Sequence, residues 1–392
     1  MQIVFGSKGV TANMNTKGVK KGGAAGNDEV YFERQDRIDW IDAARCFAIF
    51  CVVVNHAIES IYKFEVEDFI ALSTVSQFFA LASFTFGRLG VPLFLMISGY
   101  LLLDRDWNQE SCFKFWKNNW LRLFVCTEIW WVIYDVFITV YYKTPLDIVR
   151  LIQRLLFLTD VNMLHAWYMP MILGMYILIP MAGTALQKFE TKHLFFPIIV
   201  FSGYSFAYPV LALISSAIGY PLKLRFSFGF SGGAFGLYLF YGYLTKKNFF
   251  YKISKNLVAI AFMGAFCLTV IFQFCGYKFE YAYKAWYDNG FLAICTVALM
   301  VLFSKVLPSP TSIALNNKSK RLVRILARDS FGIYLIHMPI LIAINPFISS
   351  IIKFYPIQFA CLALADFILS WALVEFCCKI PVIGKILFYL KS

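Results

Sequence analysis

Charge is scarce in this chain of 392 residues. Asp, Glu, Lys and Arg together make up 15% of it, whereas hydrophobic residues make up 60%. The mean hydropathy is strongly positive, at +0.66. This composition excludes an ordinary soluble domain and is typical of a polytopic membrane protein. The chain length therefore sets a number of membrane spans, and not a number of soluble domains.

Two other features are missing from the sequence. No internal repeat is visible, which argues against a transporter built from two inverted halves. No set of His, Cys or acidic residues has the spacing of a metal site, so we expect no metal. Most of the ten cysteines fall inside apolar segments, where we expect reduced thiols that act as small apolar residues.

Ten apolar segments are long enough to cross a membrane, and Trp and Tyr gather near their ends, as interfacial residues do. The predicted spans cover about 41–62, 76–103, 121–142, 165–186, 194–217, 228–245, 256–275, 290–307, 330–350 and 356–378. We therefore predict an all-α polytopic membrane protein with about ten transmembrane helices and with its N- and C-termini in the cytoplasm.

The segments outside the ten predicted spans are a polar N-terminal tail and the loops. Residues 1–36 have no apolar period and are too polar for a signal peptide, so we predict a flexible cytoplasmic tail before a transmembrane domain over 37–392. Loop 57–70 is acidic, with Glu59 among its carboxylates, and is predicted to lie outside. Loop 143–164 repeats apolar residues at helical spacing, which predicts a short surface helix over the outer mouth.

The net charge of +13 is distributed unevenly among these loops. On the predicted cytoplasmic side the segments hold 26 Lys and Arg residues and on the other side nine, with Arg88 inside a span. This asymmetry follows the positive-inside rule and sets the predicted orientation. We expect the basic loops to face anionic membrane lipids and not a nucleic acid.

Arg45 and His56 stand out in the first span, where the residues between them are almost all apolar. Eleven residues correspond to about three helical turns, so both side chains leave one helix face, roughly 16 Å apart along the axis. Ionisable groups in a membrane span usually face a cavity or a pathway. Asp42 precedes Arg45 by three residues and is expected to orient it. For Arg45 the alternative is a side chain that reaches the inner headgroups, and for His56 a packing contact between helices.

Other polar residues lie within or at the edges of later spans. Arg88 lies in the second span just before Gly90 and Pro92, which loosen the backbone, and it could instead be an ion-pair partner of Glu128 or Asp135 in the third. In the ninth span, His337 follows Tyr334 by three residues, and this histidine is expected to make a packing hydrogen bond.

Four ordered motifs resemble the acyltransferase-3 family of integral membrane acyltransferases. They are WIDAAR with its arginine eleven residues before a histidine, the segment R-x-x-VPLF-x-x-SGYLL, HAWY at the start of span four, and FGIYLIH near the end. The resemblance runs from about Ile38 to Phe376 and is most similar to bacterial surface-polysaccharide O-acetyltransferases of the enterobacterial common antigen type. It implies a multi-pass protein of the bacterial inner membrane.

The resemblance also implies roles for individual residues. Arg45, His56 and Arg88 match the family's essential positions and are predicted to be catalytic, with His56 as the general base or as a nucleophile. A basic R-x-x-R element often precedes span three in this family. Here basic residues of different spacing occur at that place, and together with Arg45 they are predicted to contact acyl-CoA: Lys114, Lys117 and Arg122. Predicted substrate contacts are Tyr100, Glu128, His165, Trp167 and Tyr168.

The function predicted from these residues is transfer of an acetyl group from acetyl-CoA to a hydroxyl of a cell-envelope saccharide, free or polyprenyl-linked. Acyl transfer of this kind needs a base, an oxyanion stabiliser and a site for the thioester. Two alternatives stay open. The same buried residues could serve a transporter or flippase of a lipid-linked saccharide, or the chain could transfer another acyl group such as succinyl.

Overall fold

The structure is a computed structural model, and it describes residues 38–160, 162–220, 222, 233–279, 284–306, 317–380, 384 and 386–388. Every regular element in these ranges is helical, which confirms the predicted all-α class. The α-helices are α1 (Asp39–Ile61), α2 (Val66–Ile70), α3 (Thr74–Arg88), α4 (Gly90–Leu102), α5 (Gln109–Phe115), α6 (Leu121–Tyr142), α7 (Ile148–Leu155), α8 (Tyr168–Gln187), α9 (Phe195–Ser202), α10 (Tyr208–Ala217), α11 (Gly233–Lys246), α12 (Lys255–Lys278), α13 (Gly290–Val306), α14 (Asn317–Ile351) and α15 (Tyr355–Cys378).

Eight helical segments of the described chain are long and apolar enough to cross a membrane. They coincide with predicted spans one to five, seven, nine and ten. The 17-residue helix α13 is apolar but shorter, and it lies at predicted span eight. Helix α11 lies at predicted span six, whose first residues fall outside the described part of the chain, as does the predicted tail 1–36. The chain is therefore a multi-pass membrane protein.

The second span is a pair of helices, α3 and α4, joined at Leu89. Pro92 has no N–H to donate to the carbonyl of Arg88, so the helical hydrogen-bond ladder is interrupted at the point where the sequence predicts a loosened backbone. Because Leu89 keeps helical angles, with φ −68° and ψ −22°, the two helices continue as one crossing, Thr74–Leu102.

Two contacts near the ends of the helices agree with the predicted alternation of the spans. At one end of the bundle Lys247 pairs with Asp104 at 2.5 Å, and this bond raises the pKa of Lys247. At the other end the Tyr277 hydroxyl donates to the Phe64 carbonyl at 2.7 Å. The loops that meet are those predicted to share a side of the membrane. Which end faces the cytoplasm stays a prediction from the basic residues.

Helix α1 lies in the middle of the bundle and packs against α3, α4, α13, α14 and α15. Glycines allow backbones to touch at two of its contacts: a Cβ on Gly87 would lie 2.6 Å from Asn55 Cα, and one on Gly90 would lie 2.5 Å from the Ala48 carbonyl oxygen. Such small residues are typical of close helix pairs in membranes. The polar residues of α1 are therefore surrounded by protein and not by lipid.

A second close contact joins α4 to α11. A Cβ on Gly99 would lie 1.9 Å from the Leu239 carbonyl oxygen, and one on Gly242 would lie 1.9 Å from the Met96 carbonyl oxygen. The fifth span, Thr191–Ala217, touches α13 at one point, where a Cβ on Gly290 would lie 2.9 Å from the Phe206 carbonyl oxygen, but only 11% of its most apolar window is buried against 72% for α1. It lies at the periphery of the bundle.

The predicted surface helix in loop 143–164 is confirmed as α7. Asp147 caps it by accepting a hydrogen bond from the Arg150 amide at 3.0 Å. Arg154 on this helix is buried and pairs with Asp135 at 2.5 Å, so the third span and the loop that follows it are tied together. Asp135 is therefore not the ion-pair partner of Arg88.

Candidate active site

Three histidines from distant parts of the sequence meet beside the end of α1. The ring centroids of His56 and His165 are 6.2 Å apart, those of His56 and His337 are 5.4 Å apart, and those of His165 and His337 are 4.9 Å apart. The fourth histidine of the chain, His193, is exposed in a different loop. The structure therefore brings the predicted base, a predicted substrate contact and the histidine of the ninth span into one cluster.

Hydrogen bonds assign the tautomers of the two deeper rings. The Tyr134 hydroxyl donates to the Leu335 carbonyl at 2.6 Å, so at its 3.0 Å contact with His165 it must accept from Nε2–H. A backbone carbonyl can only accept, so His337 donates from Nδ1 to the Tyr334 carbonyl at 2.7 Å. Among the described residues, His165 Nδ1 and His337 Nε2 are buried without a hydrogen-bond partner. Each is a hydrogen-bond acceptor.

Glu59 connects His56 to Arg88. Its Oε2 lies 3.6 Å from His56 Nδ1 and accepts from the Asn55 side-chain amide at 2.8 Å. Its Oε1 accepts from Arg88 Nη2 at 3.3 Å, and Lys284 Nζ lies 3.9 Å away. The carboxylate thus lies beside Nδ1 of His56, which leaves Nε2 as the nitrogen available for chemistry.

Arg88 is held in a box of aromatic rings. Its guanidinium carbon lies 4.5 Å from the Phe84 ring centroid and 4.7 Å from that of Trp286. Nη1 donates to the Tyr287 hydroxyl at 3.1 Å, and the side chain is only 6% exposed. Nε is buried and has no partner in the described chain. A fixed guanidinium with one donor left over is suited to binding a developing negative charge.

His56 and Arg88 line a small cavity of ≈ 20 Å³, enough for about one water molecule. The predicted substrate contacts His165, Trp167 and Tyr168 lie in its wall. The Trp167 ring packs 5.6 Å from those of Trp286 and Tyr287, so aromatic rings surround the polar centre.

A second cavity, of ≈ 30 Å³, lies along α1 towards Arg45. Arg45 is 8% exposed, lines this cavity and pairs with Asp42 at 3.8 Å, as the sequence predicts. Both cavities are lined by four common residues: Val52, Val91, Tyr168 and Tyr334. The two predicted catalytic residues of α1 thus lie along a row of two adjacent small cavities inside the protein, and Arg45 does not extend to the headgroups.

Other predicted site residues lie elsewhere. Tyr100 packs edge-on against Trp40 at 5.0 Å, at the opposite end of α1 from His56. Glu128 lines neither of the two cavities. Lys114 and Lys117 are exposed on the segment before α6. Arg122 is adjacent to Leu123, which lines the Arg45 cavity, so this basic segment approaches the end of the row that is far from His56.

A family model described as an acyltransferase domain matches residues 38–375. The chain belongs to the acyltransferase-3 family. The match covers nearly all of the transmembrane domain of this membrane acyltransferase, from the start of α1 to the last turn of α15. No curated protein matches the chain significantly. No solved structure does so either.

Sequence reasoning missed Glu59, Trp286 and Tyr287. Glu59 was assigned to an acidic outer loop, although its spacing of three from His56 and four from Asn55 places all three on one helix face. That spacing was the available signal, because α1 continues as far as Ile61. For Trp286 and Tyr287 the sequence has no local signal, since only the tertiary fold brings the loop before α13 over Arg88.

Proposed function

We propose that this membrane acyltransferase is an O-acetyltransferase that moves an acetyl group from acetyl-CoA to a hydroxyl of a cell-envelope saccharide, free or polyprenyl-linked. The observation that carries the proposal is the position of His56. Its ring stands between Glu59 and a cavity lined by Arg88 and His165. A base, its orienting carboxylate and a fixed cation are thereby close to one place where a thioester carbonyl and a hydroxyl could meet.

In the proposed reaction the acetyl group passes directly from the thioester to the acceptor hydroxyl. His56 Nε2 takes the proton of the acceptor hydroxyl while its oxygen attacks the thioester carbonyl carbon. The negative charge that develops on the carbonyl oxygen is met by Arg88 Nε–H. The carbon–sulfur bond then breaks, and the imidazolium returns the proton to the leaving thiolate of coenzyme A. Glu59 stabilises that imidazolium because it lies 3.6 Å from Nδ1.

The row of small cavities supports delivery of the donor along α1. Arg45 lies at the end of the row nearer the predicted cytoplasmic face, beside the basic segment with Lys114, Lys117 and Arg122. Phosphates of coenzyme A are attracted to such a surface, and a slender pantetheine arm suits a narrow passage between packed helices. The acceptor would approach from the opposite, predicted outer end, where His56 is five residues from the end of α1.

Two features favour acetyl over succinyl. The space beside His56 is only ≈ 20 Å³, which favours a small acyl group. A succinyl carboxylate would also need an uncompensated cation. Arg88 already pairs with Glu59 and Arg45 with Asp42, so a succinyl carboxylate would compete with a carboxylate of the protein at either cation.

The test is acetyl transfer by the purified full chain in lipid nanodiscs, with labelled acetyl-CoA and a saccharide acceptor. Thiol release should require the acceptor, and His56→Ala should lower the rate by about 10²- to 10⁴-fold, the usual worth of a positioned base. His193→Ala is the matched control, since that histidine is exposed and far from the cluster, and it should leave the rate unchanged.

Three results would contradict the proposal. A native rate of transfer by His56→Ala would show that His56 is not the general base. Faster turnover of succinyl-CoA than of acetyl-CoA would reject the acetyl assignment. Movement of a lipid-linked saccharide across the membrane without any thiol release would favour the flippase alternative.

A further inference from the structure

A cavity much larger than the two along α1 lies away from the histidine cluster. It has a volume of ≈ 720 Å³ and is enclosed by the fifth span, α11, the first turns of α12 and one face of α13. We call it the lateral slot. Its walls run from Gly290 to Val301 along α13, roughly 16 Å at the helical rise. This is about half of the ~30 Å hydrocarbon thickness of a bilayer, so the slot is as long as one leaflet is deep.

The walls of the slot suit only a hydrocarbon occupant. They are apolar except for two hydroxyls, Ser202 Oγ and Tyr241 OH, which are hydrogen-bonded to each other at 2.7 Å. A polar ligand would therefore lose its hydrogen bonds to water without replacement. Gly203 faces open space here, since a Cβ on it would meet no atom within 4 Å.

Positive charge is concentrated at one mouth of the slot. Phe250, Ile253 and Leu257 line that mouth, and Lys252 and Lys255 stand exposed between them in the sequence. Lys305, one turn beyond Val301, donates from Nζ to the Tyr251 carbonyl at 2.8 Å. Within the residues that the structure describes, none of these three lysines contacts a carboxylate. An uncompensated basic group beside an apolar gap between helices is the chemistry that binds anionic lipid headgroups.

We propose that the lateral slot is a binding site for an anionic glycerophospholipid, with its phosphate at Lys252, Lys255 and Lys305 and one acyl chain between the fifth span and α13. The bound lipid fills the gap behind the fifth span and attaches it to the bundle. Activity and stability then depend on anionic lipid. This inference does not rest on the proposed O-acetyl transfer.

A lipid-linked acceptor does not fit the same site. The lysines belong to the end of the bundle where Lys247 meets Asp104, whereas His56 lies near the end where Lys284 approaches Glu59. A saccharide attached to a headgroup at the lysines would be on the wrong side of the membrane for His56. Tyr238 also lies between the two cavities, since it packs against Phe206 in the wall of the slot and donates at 2.8 Å to the carbonyl of Tyr287 in the wall of the histidine cavity.

The experiment is native mass spectrometry of the full chain released from nanodiscs of phosphatidylcholine and phosphatidylglycerol in equal amounts. The native sequence should retain one phosphatidylglycerol. The triple variant K252Q/K255Q/K305Q should retain it roughly tenfold less or weaker still, because each lysine near an anionic headgroup adds to binding. The matched control K188Q/K379Q removes two exposed lysines elsewhere and should behave as the native sequence does.

A second variant tests the hydrocarbon part of the site. Ala298→Phe places a ring in the slot and should abolish retention while leaving the lysines in place. Phosphatidylglycerol should raise the melting temperature of the native chain but not that of either slot variant. Equal retention by the triple variant, retention of phosphatidylcholine in place of phosphatidylglycerol, or a second copy of the chain seated at the slot would overturn the proposal. If Ala298→Phe fails to fold, the lipid retention of the triple lysine variant alone tests the proposal.

Discussion

Helix α1 and the fifth span have nearly the same hydropathy but opposite surroundings. Their most apolar windows have mean values of 1.6 and 1.8, yet 72% of the first is buried inside the protein and 11% of the second. The difference lies in the polar residues: α1 carries Asp42, Arg45, Asn55 and His56, all turned towards other helices. In a membrane protein, buried ionisable groups therefore distinguish the functional centre from the periphery better than hydropathy does.

The contrast between the buried centre and the periphery can be tested by substitution. The largest effect among the four tests below is expected at Arg88. Arg88→Lys keeps the charge but loses the planar guanidinium and its Nε donor, so acetyl transfer should fall by about 10²- to 10³-fold, the usual worth of an oxyanion donor. The fall would be measured as the rate of transfer from labelled acetyl-CoA. Lys188→Arg, an exposed exchange of the same kind, is the control. An Arg88→Lys variant at native rate would remove Arg88 from the chemistry.

Glu59→Gln should have the next largest effect. The amide cannot stabilise a charged His56 ring or compensate Arg88, so kcat should fall roughly 10²-fold while KM for acetyl-CoA stays unchanged. Glu59→Asp should recover part of kcat. If both variants lowered only the amount of folded protein, with native kcat in what remained, Glu59 would be a structural residue and not a positioning one.

Two Gly→Ala substitutions compare how much the core and the periphery contribute to the free energy of unfolding. Gly99→Ala forces a Cβ into the Leu239 carbonyl of α11 and should lower the free energy of unfolding by about 1–3 kcal/mol, measured by thermal unfolding in detergent. Gly264→Ala on α12 meets no atom within 4 Å and should be neutral or slightly stabilising. Equal effects at the two positions would show that α4 and α11 can separate without cost.

The smallest effect is expected on the fifth span. Phe196 is 77% exposed, so Phe196→Ala removes contacts with lipid and few with protein. The free energy of unfolding should change by less than about 0.5 kcal/mol, and the rate of acetyl transfer should not change. A large loss of stability would mean that this face of the span is covered by protein, which would end the contrast with α1.

The sequence alone predicts most of the fold. Hydropathy locates the spans, the positive residues divide the loops between two sides, and helical spacing predicts the surface helix α7. The break at Leu89 also follows from local chemistry, since Pro92 cannot donate to Arg88. These features depend on neighbours in the sequence, which is why a single chain is sufficient to predict them.

The site was predicted only in part. The pairing of Arg45 with Asp42 follows from helical spacing, and the catalytic roles of Arg45, His56 and Arg88 remain predictions from the family resemblance. Tyr100 was expected to contact substrate, but the structure places it at the far end of α1. The meeting of His56, His165 and His337 joins residues more than a hundred positions apart, and so do the contacts of Arg88 with Trp286 and Tyr287. Such contacts depend on how the helices pack, and no local pattern encodes them.

The close contact of α11 with α4, at Gly99 and Gly242, gives α11 two unlike sides. Towards α4 the backbones touch, so no hydrocarbon chain can pass between them, while towards the fifth span the lateral slot is wide enough for one. Helix α11, whose Tyr238 donates to the Tyr287 carbonyl, thus separates the lateral slot from the histidine cavity. If both proposals hold, lipid exchanges on one side of α11 without entering the acyl-transfer site on the other.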